Sequence, residues 1–228
     1  MAYLRRLQQN FGLSFLLLLT SAYMGVKGAL YYVVVLSQLP YYRAMGVGAA
    51  QYQIYGSIAN TPWAMKGLIG AISDALPLGG YHKRGYIVGA CVVGVTAFAL
   101  LAAVPFGSDE AKACAALFFL ATAELAIVDL LCEGKYAEMM VKHPETGADL
   151  VTWVWMSYHV GTLLGSALTG PMADYISPRA IFWVALPLAA QILIPTLSGA
   201  LMGMCNSHLL RSMPGAIRTF EYTCISRD

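Results

Sequence analysis

Long apolar runs broken by short polar segments dominate the chain. They are too long for strands and too continuous for one face of a soluble helix. About 20 residues of α-helix cross the hydrocarbon core of a bilayer. Six segments meet that need: 11–38, 51–73, 86–106, 111–131, 150–170 and 180–204, with a short polar tail at 205–228. Leu, Ala, Gly and Met fill them, without the alternation over about 10 residues that marks a membrane barrel strand. The pattern predicts an all-α polytopic membrane protein whose solvent is the lipid bilayer. The first run is too long for a signal-peptide core and lacks a small-residue cleavage site, so it reads as a retained span.

Local signals place several ends. Ser108 before Asp109 and Glu110 predicts the start of the fourth helix, with acids at the positive dipole end. Asp149 is expected to cap the fifth, and Ser177 with Pro178 to open the sixth. Pro62 predicts a kink in the second span, because it leaves a carbonyl without its donor.

Composition agrees with a membrane protein: 58% of residues are hydrophobic and 11% charged, whereas soluble domains carry about 25% charged residues. The net charge of +2 comes without any concentrated basic stripe, which argues against nucleic-acid binding. Cys91, Cys114, Cys132, Cys205 and Cys224 match neither metal nor disulfide spacing and read as small buried side chains, with no cofactor or metal implied. With the N-terminus inside, nine Lys and Arg fall in inner segments, three in outer loops and two within spans. Both termini are therefore expected in the cytoplasm, and the plasma membrane is the expected location.

Charges inside the spans are the informative exceptions, since each is expensive there. Lys27 lies in the first span, Lys66 in the second, Glu124 and Asp129 in the fourth, and Glu133 closes that helix. Counted at about 1.5 Å per residue, Lys66, Glu124 and Asp129 fall in the inner half of the bilayer. Lys27 comes nearer mid-depth, so Lys66 is expected to meet a fourth-helix acid and Lys27 to face a central cavity. Asp129 and Glu133 share a helix face and are candidates for proton binding or gating. A structural ion pair between Lys66 and Asp129 is the competing reading. Glu124 leans toward the transport path, and Glu133 also fits a plain interfacial acid.

The stretch from Gly67 through Gly70, Asp74, Gly79 and Gly80 to Lys83 and Arg84 combines close-approach glycines, a helix-ending acid and surface bases. It reads as a cytoplasmic charge latch of Asp74, Lys83 and Arg84, or as an ordinary hairpin with positive-inside residues. Gly161 and Gly165 predict a close helix contact, with a kink or flexible end at Gly170-Pro171. Trp153 reads as an interface anchor. Trp155, Tyr158 and, deeper in its span, Trp63 are candidates to line a cavity for a flat heteroaromatic solute, with an interface anchor as the other reading of the two tryptophans.

The loop resembles a lengthened form of the signature between helices two and three of the major facilitator superfamily. The set Pro62-Trp63-Ala64-Met65-Lys66, Ser73-Asp74, Pro77 and Gly80-Tyr81-His82-Lys83-Arg84 is similar to the folate–biopterin transporter family. Asp129-Leu130-Leu131-Cys132-Glu133-Gly134-Lys135-Tyr136-Ala137-Glu138 resembles its trypanosomatid version. Gly67 departs from a frequent proline and His82 from a frequent arginine. The resemblance covers about residues 10–205 and implies the N-terminal six-helix half of a major-facilitator-type transporter. The activity it implies is proton-coupled (symport) movement of folate or unconjugated pterins such as biopterin, with no enzymatic step. Lys27, Lys66 and Trp63 would then stand on the solute side. A half of this kind calls for a second six-helix half or a homodimer to close the path. Three alternatives stay open: a truncated, inactive half, one that modulates a full-length transporter, and a relative with another solute.

Overall fold

The computed structural model describes residues 2–76 and 83–198. The loop residues Pro77, Gly79, Gly80 and His82, the end of the sixth predicted span and the tail with Cys205 and Cys224 lie outside them. A short amphipathic helix α1 (Ala2–Phe11) ends at Gly12, whose φ of 76° suits glycine and redirects the chain into α2 (Leu13–Ala44). The others are α3 (Ala49–Ala64), α4 (Lys66–Ala75), α5 (Arg84–Ala103), α6 (Ala111–Lys142), α7 (Gly147–Tyr175), α8 (Ile181–Ala190) and α9 (Leu193–Leu197). Among the described residues there is no strand, so the protein is an all-α polytopic membrane protein. Leu13–Ala44, Arg84–Ala103 and Ser108–Lys142 are long and apolar enough to cross a membrane, and Ile181–Leu197 is a shorter apolar helical stretch.

Several helices outrun the expected bounds. α2 continues through Pro40, α6 extends to Lys142, and α7 runs unbroken through Pro171. The expected kink near Pro62 takes the form of a one-residue break at Met65, whose N–H is shared between the Thr61 and Pro62 carbonyls at 3.2 Å each. Asp149 does not cap the fifth span. α7 begins earlier, at Gly147, and leaves Asp149 in its first turn, where it pairs with Arg6 at 2.6 Å. The fourth helix is entered by a 3₁₀ turn, Ser108–Glu110, and the Glu110 carboxylate accepts from the Gly107 N–H at 2.7 Å. Ser177 Oγ accepts from the Ala180 N–H at 3.1 Å at the entry to α8.

The centre of α2 departs from α-helical winding. Ser21–Leu30 is π-helical, with i→i+5 hydrogen bonding. This segment is gripped on two sides. On α7, a Cβ at Gly161 or Gly165 would run into the Met24 or Ala29 carbonyl. On the other side, the Gln191 amide lies in the notch left by Gly25. Lipid tails are as apolar as leucine, so close approach of this kind, rather than apolar burial, holds helices together in a bilayer.

Contacts at each end of the bundle tie the helices together. At one end α1 docks on the α6–α7 junction: Leu7 is fully buried, Phe11 meets the His143 ring edge-on, and Tyr3 donates to the Asp149 carbonyl at 2.8 Å. At the other end Tyr41, Tyr42, Phe98, Phe118 and Phe182 form a buried aromatic cluster joining α2, α5, α6 and α8. There Arg179 donates to the Ala102 and Ala103 carbonyls at 3.2 and 3.0 Å, satisfying acceptors at the end of α5.

Candidate functional site

Four charges, three of them within predicted spans, meet where α2, α4 and α6 come together. Asp129 is almost fully buried and takes one lysine on each oxygen: Lys27 at 2.8 Å from Oδ1 and Lys66 at 2.8 Å from Oδ2. The two contacts are unequal. Lys66 makes a well-formed hydrogen bond to Oδ2 and a second one to Glu133 at 3.2 Å, whereas the Lys27 contact lacks hydrogen-bond geometry. Asp129 and Glu133, one turn apart on α6, converge on Lys66 as their spacing predicted. Two ammonium groups and two carboxylates sum to no net charge. Asp129 keeps a counter-ion if either lysine is lost, and only the loss of both would leave its buried charge uncompensated, which is strongly unfavourable in a medium of low dielectric.

The expectation that Lys27 sits apart from the acids is corrected. It shares Asp129 with Lys66 while also facing open space. The depth count assumed α-helical rise throughout, but π winding fits more residues into each turn, so Lys27 is drawn back toward the level of Asp129.

Two small cavities adjoin the cluster. One, of about 180 Å³, is lined by Lys27, Tyr31, Trp63 and Tyr158. The other, of about 30 Å³, is lined by Tyr23, Lys27, Glu133, Tyr136, Val154, Trp155 and Tyr158. Trp63, Trp155 and Tyr158 therefore stand with Lys27, Lys66, Asp129 and Glu133. Lys27 lies 5.3 Å from the Tyr23 ring centroid and Lys66 lies 5.5 Å from that of Trp63, within the range of cation–π attraction. Trp63 meets Tyr31 edge-on, and its buried indole N–H has no partner. A larger cavity of about 280 Å³ between the start of α2 and α9 is lined by Ser14, Leu17, Ser21, Gln191, Ile194, Pro195 and Ser198. No charged side chain lines it, and it lies away from the ion cluster.

Tyr23, Tyr31 and Tyr136 belong to this site although sequence reading passed over them. A usable signal was present: Tyr23 and Tyr31 flank Lys27 by four residues on either side, and Tyr136 follows Glu133 by three, so each shares a helix face with a flagged charge.

Other candidates lie elsewhere. Glu124 is buried against α5, where its carboxylate fills the space over Gly94 beside the Cys91 thiol, and neither oxygen has a well-formed hydrogen bond. The Cys91 thiol donates instead to the Ala189 carbonyl at 3.4 Å. Trp153, read from sequence as an interface anchor, also ties α7 to α2. It is half-buried, and its indole N–H donates to Thr20 Oγ1 at 3.2 Å. Among the described residues no ion pair joins Asp74 and Lys83 to each other or to the cluster. Lys83 Nζ lies over Gly134, and Arg84 donates to the Leu197 carbonyl at 3.4 Å, toward the end of the sixth helical stretch. Cys91, Cys114 and Cys132 are buried free thiols.

The sequence profile of the BT1 family matches residues 27–214, which include the ion cluster and most of the cavity wall. The chain belongs to the BT1 family. Similar proteins are "Probable folate-biopterin transporter 2" of Arabidopsis thaliana, 28% identical over 60% of this chain and 27% of its own length, and "Probable folate-biopterin transporter 4" of the same plant, 28% identical over 84% and 39%. "Folate-biopterin transporter" of Synechocystis sp. is 25% identical over 68% of this chain and 32% of its own length. The chain thus spans well under half the length of the curated BT1 relatives it matches. No solved structure matches.

Proposed function

We propose that this chain forms a six-span half of a membrane transporter for folate or unconjugated pterins, coupled to proton movement. The observation that carries the reading is the Lys27–Asp129–Lys66 cluster beside cavities walled by Trp63, Trp155, Tyr31 and Tyr158. Membership of a family whose named relatives are folate–biopterin transporters supports the solute class. A pterin is flat with a polar edge, and suits both aromatic walls and fixed charges. Asp129 and Glu133 are the proton or gating candidates, because neutralising either unbalances the cluster and loosens Lys66 from α6. Both termini are assigned to the cytoplasm and the protein to the plasma membrane.

A second half, or a second copy of this chain, would complete the path. In support, Gln53, Ser57, Asn60 and Thr61 form an exposed polar stripe on α3, where a lipid-facing helix would be apolar.

The test is entry of labelled folate and biopterin at acidic and neutral pH, in cells that lack their own uptake and display the 228-residue chain at the surface. Saturable entry that rises with acidity is expected. Normal surface abundance with no entry would overturn transport by this chain alone and leave a modulating half as the reading.

A further inference from the structure

The two lysines on Asp129 are not equivalent, and the difference bears on which solutes the cavity accepts. Lys27 lines both small cavities, whereas Lys66 lines neither. Lys66 is tied to two carboxylates with hydrogen-bond geometry, so pulling it away would strip both. Lys27 holds one carboxylate, through a contact of poor angle, and pulling it away leaves Asp129 still bonded to Lys66. An ammonium group has three donors, and among the described residues the only acidic partner of Lys27 is Asp129. Lys27 is thus the exchangeable cation, already resting on a carboxylate.

We propose that Lys27 is the carboxylate-binding residue of the cavity and Asp129 its built-in competitor, so that the site selects anionic over neutral aromatic solutes. The inference rests on the pterin reading above and narrows its solute class. A solute carboxylate entering between Tyr31, Trp63 and Tyr158 takes the place of Asp129 on Lys27, and Asp129 keeps Lys66 as its counter-ion. The number of ion pairs is conserved. A neutral solute of the same ring leaves the Lys27–Asp129 pair standing and gains nothing from the ammonium group. A competitor also sets a limit: an internal carboxylate that always occupies Lys27 weakens anion binding, which favours release at the expense of tight capture.

The test is titration of the purified 228-residue chain in nanodiscs, read by quenching of its tryptophans, since Trp63 and Trp155 line the cavities. The probes are 6-carboxypterin and neutral 6-hydroxymethylpterin, which share a ring. Expected is at least tenfold tighter binding of the acid. The preference should vanish in Lys27→Gln and persist in Lys27→Arg, and Asp129→Asn should raise the ratio of acid to alcohol affinity several-fold. Monodisperse elution certifies each variant, and if Asp129→Asn fails that check the Lys27 pair decides. Equal affinities in the unmodified chain, or a preference that survives Lys27→Gln, overturn the inference and leave the pterin reading intact. If neither pterin binds, the pterin reading fails, and benzoate decides the anion site. Quenching by benzoate that is lost in Lys27→Gln supports it, and no response to benzoate overturns it.

Discussion

Asp129 is a single carboxylate with two cations, and that redundancy has a measurable consequence. Losing either lysine leaves it one counter-ion, while losing both leaves an uncompensated buried charge. Lys27→Met and Lys66→Met should each lower stability modestly, and the double variant by about 3–5 kcal/mol, more than the sum of the two. Adding Asp129→Leu to the double variant should restore most of the loss. Thermal melting in detergent across this set checks the prediction, and additive losses would refute the shared-carboxylate picture. Glu124 presents the opposite situation, a buried carboxylate with no well-formed hydrogen bond and no place in the cavities. Glu124→Gln keeps its shape and replaces the carboxyl by a neutral amide. It should leave the melting temperature nearly unchanged and pterin affinity within about twofold, because a carboxyl buried without an ion pair is held in its neutral form and Gln puts a neutral group of the same shape in its place. Weakened binding in that variant would return Glu124 to the solute path.

Among the elements, the α2–α7 contact depends on missing side chains. Gly161→Val or Gly165→Val would push a side chain into backbone carbonyls of α2, which cannot swing aside as a flexible side chain would. Folded, monodisperse protein should fall sharply in both. Gly67→Ala on α4 meets nothing within 4 Å and should stabilise by about 0.5–1 kcal/mol by helix propensity alone. Size-exclusion recovery and melting of the three variants test the contrast, and comparable behaviour would show that the glycines are not packing-critical. The glycine pair was legible in the sequence because its i, i+4 spacing needs only helical geometry. The Lys66–Asp129 contact was legible for a similar reason, since two charges counted to one depth in neighbouring spans have few other places to go. The position of Lys27 was not, because the sequence Ser21–Leu30 carries no Pro, and its Gly25 and Gly28 read equally well as close-packing positions of an ordinary α-helix. The tyrosines of the cavity were hidden by number: one Tyr among 14 stands out only once its helical neighbour is known to be a buried charge.

For the whole molecule, the two ends are held differently. Aromatic packing ties the end opposite α1, and α1 clasps the other by burying Leu7 and Phe11 and pairing Arg6 with Asp149. The apolar part of that clasp should dominate. Leu7→Ala is expected to cost about 2–3 kcal/mol, whereas Arg6→Ala, with a side chain 57% exposed, should change melting little and less still at high salt. Proteolysis of the N-terminus in the two variants reads this directly, and an Arg6→Ala release as large as that of Leu7→Ala would reverse the ranking. Between the two ends, the side of the bundle bearing the α3 polar stripe presents Gln53, Ser57 and Asn60 beside Ile54 and Ile58. The Ser57, Asn60 and Thr61 side chains there bond back to the Gln53, Gly56 and Ser57 carbonyls, so these polar groups are satisfied within α3 itself.

The π-helical stretch of α2 also gives the molecule slack in its length. A π turn stores more residues than the α turn that would replace it, so the chain between Ser21 and Leu30 is longer than the distance it spans requires. One residue removed there is absorbed by local rewinding, and the two flanking parts of α2 keep their facing. One residue removed elsewhere in α2 would instead turn everything beyond it by about 100°, the angle of a helical step. The segment that carries Lys27 therefore holds spare chain length at the place where α7 grips the backbone of α2 through Gly161 and Gly165, so a deletion there would keep the facing of the flanking parts and lose that grip.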